Sequence, residues 1–381
     1  MITVQQVFKE HYCACANVHK LSDQQQKVAH AIINCHTEAM GANVRICEEC
    51  GYIDTHYNSC RNRHCPSCQG INKDIWADAR SEDTINAPYF HVVFTVPEQL
   101  QMIICQNKEV LYNLMFKATS ETIFALTKNK KYLGAKPGFF SVLHTWTQDM
   151  RFHPHIHIVI VGGGLTEIGE WRNSGKDFFL PVKVLAKLFR GKFLAALESL
   201  YNDGKLNFFE SMIGFKDANT FNSLLAEVYK INWYTYTKRA FSGPLAVVKY
   251  LARYTHRIAI SNYRIVKIEG NMVTITVRDD SSIGGTKHLT LDCIEFVRRF
   301  LMHVLPKGFV KIRYYGVLAS RNKKTLLVIC MKLTKTIEHK SKLKGLTHVE
   351  VLLVVYGKDI NLCPCCGIGK LIPAFAQCNS P

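Results

Sequence analysis

Apolar and polar positions alternate most regularly over residues 151–161. As a strand, this run projects His155 and His157 from one face and Ile156, Ile158 and Ile160 from the other. It runs into Gly162-Gly163-Gly164, which predicts a buried central strand leaving its sheet at the glycines. Further strands are expected at 91–96, 139–146, 231–236 and 310–315, with a hairpin formed by 273–277 and 289–291. Helical spacing appears instead through Val7, Tyr12, Val28, Ala31 and Ile32, fading near Gly41. It recurs over 69–80, 107–128, with Asn107 as an expected cap, 182–201 and 295–304. Residues 134–138 read as loop, 167–176 as a polar insertion and 319–324 as a basic turn. Another helix is expected after Phe241-Ser242-Gly243-Pro244, a usual helix opening. The pattern is that of an α+β protein with a central antiparallel sheet. Domain boundaries are expected between Ser81 and Pro88 and after residue 300, giving segments 1–84, 85–300 and 301–381.

Two imidazoles two residues apart on a strand can grip one cation, and the apolar face behind them anchors them to a core. A tight turn at Asp149-Met150 places His144 opposite His155 on the same face of an antiparallel hairpin. His144 is therefore the expected third ligand, with Gln148 and His153 as alternatives. A lone His-x-His pair also occurs on ordinary solvated strand faces, so the rest of the chain decides its meaning.

Fifteen cysteines cluster rather than scatter. Cys47-x-x-Cys50 is followed by Gly51, and Cys65-x-x-Cys68 comes after fourteen intervening residues. Two such knuckles make a four-thiolate tetrahedral site, so Cys47, Cys50, Cys65 and Cys68 are expected to hold a structural Zn2+. Cys35, His36, His56, Cys60 and His64 are further ligand candidates for that ion or a second one. Cys363-Pro-Cys-Cys366-Gly supplies half a site near the C-terminus, with Cys378 beyond.

The chain has 381 residues, 48 Lys+Arg against 30 Asp+Glu, and a formal net charge of +18. The surplus is uneven: residues 228–268 carry eight Lys/Arg and no acid, and 296–337 carry ten and none. Such stretches suit a surface that follows a phosphate backbone, and Arg313 and Arg321 are expected phosphate contacts. No secretory signal and no apolar run of membrane-spanning length are seen, which predicts a cytoplasmic protein with no membrane partner. No Gly-rich phosphate-binding loop with a Lys is present, so no nucleotide cofactor is expected.

Tyr250 and Tyr254 stand four apart on the expected helix, on one face, with Lys249, Arg253 and Arg257 beside them. Such a pair usually means core packing; here it lies in an acid-free stretch that shares a domain with the paired histidines. A phenol of pKa about 10 is a weak nucleophile at neutral pH, and neighbouring cations favour its phenolate. Its attack on a phosphodiester leaves a 5′-phosphotyrosine and a free 3′-hydroxyl, conserving the ester for rejoining without a nucleotide. An ion on the histidines would neutralise charge on the non-bridging oxygens.

Taken in order, these motifs resemble a rolling-circle (two-tyrosine, HUH) transposase of bacterial insertion sequences with an N-terminal zinc-binding domain. The resemblance runs through 58–66, 91–97, 143–148, 153–157, 250–262, 305–309, 313–316 and 363–367. It implies an HUH nuclease fold for the central domain, a catalytic Mg2+ or Mn2+ on His155 and His157, and nucleophilic Tyr250 and Tyr254. It also implies single-stranded DNA at element ends and target sites as the partner. One alternative uses the same chemistry in a plasmid replication initiator or mobilisation relaxase. Another is a zinc-dependent DNA-binding regulator without catalysis.

Overall fold

The computed structural model describes residues 2–175, 180–239, 248, 252, 255, 258–279, 281 and 284–374. In chain order, α1 (Val4–Val18) and α2 (Asp23–Asn34) precede strands β1 (Ala42–Cys47) and β2 (Ile53–Tyr57). Next come α3 (Gly70–Ser81), β3 (Tyr89–Thr95), α4 (Gln101–Gln106) and α5 (Lys108–Lys128). Strands β4 (Lys136–Trp146), β5 (Phe152–Leu165) and β6 (Trp171–Asn173) lead to α6 (Val182–Asn202) and α7 (Ala218–Lys230). Then follow β7 (Thr235–Arg239), β8 (Ile265–Glu269), β9 (Met272–Arg278), β10 (Thr286–Asp292) and α8 (Cys293–Met302). The last elements are β11 (Ile312–Gly316), α9 (Val328–Leu333), α10 (His348–Tyr356) and β12 (Leu371–Pro373). The chain is a mixed α+β protein with antiparallel sheets, as its patterning predicts.

Two compact units are assembled from discontinuous segments: Met1–Ala79, His256–Val304 and Ser341–Pro381 in one, Arg80–Thr255 and Leu305–Lys340 in the other. In the second unit the main sheet runs β11-β4-β5-β3-β7, with β6 added to β5. Its central strand is β5. Register pairs Phe94 with Ile156, Val92 with Ile158 and Phe90 with Ile160, so these residues share one face. Helices α5 and α6 cover that face, with Phe124 packed on Phe139 (5.2 Å) and Phe189 on Phe94 (5.0 Å). Each such ring contributes about 1.5–3 kcal/mol through burial. The opposite face is left for the histidines.

In the first unit, α1 and α2 both open with capping boxes, Thr3 with Gln6 and Ser22 with Gln25. Helix α1 buries Val4, Val7, Phe8, Tyr12 and Cys15, and Phe8 meets Phe300 of α8 edge-on at 5.2 Å. Strands β10-β9-β8 form one small sheet, and β12-β1-β2 another.

Several boundaries depart from the expected ones. Strand β5 does not leave the sheet at its glycines: Gly163 pairs with Asn173 and Gly164 with Arg172 of β6. The glycines are needed inside the strand, because a Cβ on Gly163 would lie 2.4 Å from the Trp171 ring. Strand β4 already starts at Lys136, within the expected loop. The expected hairpin is the β9–β10 part of a three-stranded sheet, and the basic turn is helical, Ser320–Asn322 running into Lys323–Leu327. Asn107 stands at the start of α5 without a side-chain cap; its amide instead bonds the Ile103 and Asn207 carbonyls.

Candidate functional site

A short turn builds the site. Thr147 donates its N–H to the Arg151 carbonyl (3.0 Å), and Met150 takes a left-handed φ of 59°. The Arg151 guanidinium bonds the Asp149 carboxylate at 2.6 Å, bracing the same turn. This hairpin sets His144 directly opposite His155, with an irregularity in register between His144 and Trp146. His157 pairs with Val142 on the same face. The ring nitrogens of His144, His155 and His157 lie within 4.8 Å of one another, His144 buried and the other two partly exposed. Three neutral imidazoles on one face suit a single divalent ion and leave its other positions open.

Their orientation is fixed from behind. His155 Nδ1 lies 2.7 Å from the His153 carbonyl, so Nδ1 carries the proton and Nε2 the lone pair. His91 Nε2 lies 2.8 Å from His157 Nδ1, with the two rings stacked at 5.0 Å and 9°. Desolvation lowers His91 and His155 to about 4 and takes His157 well below the usual histidine value. All three are thus neutral at pH 7, and neutral His91 can accept a proton bond from His157, leaving His157 Nε2 to bind. His153 turns to the Gln101 amide at 3.1 Å and does not join the cluster.

His91 falls in the expected strand 91–96, and its spacing in the sequence assigns it no role. Strand pairing brings it to the site: it lies two residues from Val93, the partner of His157, and so on the same strand face. Register puts Tyr236 and Lys238 of the edge strand β7 on this face as well, opposite Val93 and His91. Both are exposed. Lys311, buried, lies over the Trp146 ring at 5.1 Å.

Among the described residues, eight thiols form two groups of four, not the single set expected from the sequence. Cys65 and Cys68 meet Cys35 and Cys60, whereas Cys47 and Cys50 meet Cys363 and Cys366. In the first group, sulfur separations are 3.5 Å (Cys35–Cys68), 3.6 Å (Cys60–Cys68) and 3.7 Å (Cys35–Cys65). A tetrahedral zinc with Zn–S bonds of about 2.3 Å has edges of about 3.8 Å, so the donor set fits that ion. Hydrogen bonds to Cys60 and Cys65 pull Cys68 down, and bonds to Cys60 and Cys68 push Cys65 up. Spacing alone could not separate the groups, because Cys35 and Cys60 do not lie in Cys-x-x-Cys pairs. His64 is buried, its ring nitrogen 3.0 Å from Asn62, and it belongs to neither group.

Arg313 pairs in register with Ser141, on the helix-covered face opposite the histidines. Its guanidinium sits over Phe116 at 4.1 Å and bonds Asn113 Oδ1. Arg298 and Arg299 both pair with Glu295 at 2.6 Å, and Lys323 with Asp83 at 2.6 Å. Arg321 is exposed. Tyr250, Tyr254, Lys249, Arg253, Arg257 and Cys378 lie outside the described residues, as does the expected helix opening at 241–244. Val248, Ala252 and Thr255 between them are helical and buried.

A family model described as a putative transposase matches residues 138–325, which span the three histidines and both tyrosines. A second, described as a transposase zinc-binding domain, matches residues 7–96. The putative transposase y4qJ of Sinorhizobium fredii is 41% identical over 358 residues, 92% of this chain and 89% of that protein. The transposase for insertion sequence element IS801 of Pseudomonas savastanoi pv. phaseolicola is 25% identical over 303 residues, 79% of this chain and 72% of that one. No solved structure matches. With a relative this similar over nearly its whole length and both family models in place, the chain belongs to the rolling-circle transposase family of bacterial insertion sequences and carries that family's N-terminal zinc-binding domain.

Proposed function

We propose that the protein nicks single-stranded DNA at the ends of its element and at a target, and joins the strands through 5′-phosphotyrosine linkages. The observation that carries this reading is the three-histidine cluster on one sheet face, with the proton placement on His155 set by a backbone carbonyl.

His144, His155 and His157 would hold a divalent ion, which when bound lowers the charge on a phosphodiester's non-bridging oxygens. Nitrogen donors favour Mn2+ over Mg2+ in that place. Tyr250 or Tyr254, as phenolate, attacks phosphorus; the bond to the 3′ oxygen breaks, and that oxygen takes a proton. The ester energy stays in the tyrosyl linkage, so a 3′-hydroxyl from another strand can reverse the step. Two tyrosines permit donor and target strands to be held at once. Lys249, Arg253 and Arg257 supply positive charge beside the phenols, and Arg321 a phosphate contact. Cys35, Cys60, Cys65 and Cys68 would hold a structural Zn2+, as a zinc-binding domain over these residues supports.

The test uses purified protein, Mn2+ and labelled single strands carrying candidate element ends. A denaturation-resistant protein–DNA adduct is expected, reduced in Tyr250→Phe or Tyr254→Phe and absent when both are changed. An undiminished adduct in the double variant would remove the tyrosines from the mechanism. Metal-independent DNA binding with no adduct on any strand would favour a non-catalytic regulator.

A further inference from the structure

We infer that the protein holds a second structural zinc at Cys47, Cys50, Cys363 and Cys366, a site that ties the C-terminal segment into the N-terminal module. The C-terminal pair lies outside the span matched by the zinc-binding domain, residues 7–96.

The two halves are built alike. In each, a Cys-x-x-Cys is followed by a glycine in the left-handed region, Gly51 at φ 69° and Gly367 at φ 70°. In each, that glycine donates its N–H to the first cysteine's carbonyl, Gly51 to Cys47 at 3.1 Å and Gly367 to Cys363 at 3.0 Å. The first cysteine of each in turn bonds back across its hairpin, Cys47 to the Tyr52 carbonyl (2.9 Å) and Cys363 to that of Gly369 (2.8 Å). Two copies of one knuckle thus face each other, and the closest sulfurs across them, Cys47–Cys366 and Cys50–Cys363, are both 3.7 Å apart. That is the edge of a tetrahedral zinc–thiolate site, about 3.8 Å for bonds of about 2.3 Å. Cys365 N–H points at Cys363 Sγ (3.4 Å) and Gly369 N–H at Cys366 Sγ (3.3 Å), the backbone bonds that thiolates accept.

The surrounding chain is shaped to this pairing. Strand β12 adds to β1, with Cys47 opposite Leu371 and Ile46 opposite Ile372. A Cβ on Gly369 would lie 2.4 Å from Cys47 Sγ, so that position must be glycine for the knuckles to meet. The site therefore closes a loop of more than three hundred residues between Cys50 and Cys363. An ion there restrains the end of the chain far more than a local knuckle would.

Zinc content measured on the intact, purified chain is expected to be two per molecule, falling to one in the Cys363→Ser/Cys366→Ser variant. That variant should also exchange the β1 amides faster. A second measurement needs no variant: thiol alkylation of the zinc-loaded protein, read by peptide mass. Cys365, exposed within the same knuckle, should be labelled at once, while Cys47, Cys50, Cys363 and Cys366 stay protected until a chelator is added. Labelling of Cys363 and Cys366 as fast as Cys365, or zinc content unchanged by their substitution, would overturn the assignment.

Discussion

Removing the imidazole of His91 leaves the three candidate ligands in place but takes away the partner stacked on His157 at 5.0 Å. Outer partners of metal-binding histidines are commonly worth 10- to 100-fold in affinity. His91→Ala is therefore expected to weaken Mn2+ binding by about 10- to 100-fold while leaving single-strand binding close to unchanged, as read by metal titration and DNA titration in parallel. His91→Gln, which can still accept from His157 Nδ1, should recover part of the loss. Equal Mn2+ affinity in wild type and His91→Ala would show that His91 does not position His157. The sequence makes the histidine pair legible through its period of two, and the position of His144 through the turn. It hid His91, because a strand's neighbour in the sheet is not its neighbour in the chain. It also hid the fate of Arg313: a cation count records charge, not that the guanidinium lies against Phe116 on the sheet's helical side.

Among the elements, β5 does most to place the site, and its glycines determine how far it runs. The triplet reads as a strand end when glycine is taken as a breaker. Yet Gly162, Gly163 and Gly164 are buried within the strand, where Phe90, Trp171 and Lys136 come too close for any side chain. Gly163→Val should thus force Trp171 and β6 off the strand. A loss of about 1–3 kcal/mol, typical of overpacking, is expected in urea unfolding. A stability within error of wild type would mean that β6 packs elsewhere. The helices were easier to read than the strands. Helix α5 buries Leu111, Leu114, Met115, Ala118 and Ile123 as its spacing predicts, because a helix carries its own register. The missing part was again pairing: β6, the early start of β4 and the third strand beside β9–β10 are each fixed by a partner strand.

The whole molecule is discontinuous: both compact units gather distant segments, and the C-terminal knuckle joins a β1 strand more than three hundred residues away. The Cys-x-x-Cys pairs are legible in the sequence, but nearness along the chain does not decide which of them meet: Cys47 and Cys50 join Cys363 and Cys366, not Cys65 and Cys68. Among the described residues, no helix is long and apolar enough to cross a membrane. The family and the basic balance of +18 both point to DNA, and the histidine face is where we propose that it is cleaved. The most direct measurement is Mn2+-dependent nicking of a labelled single strand by His155→Ala and His157→Ala proteins, with folding checked by their unchanged zinc content and circular dichroism. Nicking should fall by several orders of magnitude in both while single-strand affinity stays within a few-fold of wild type. Undiminished, Mn2+-dependent nicking by folded variants lacking both imidazoles would contradict the account.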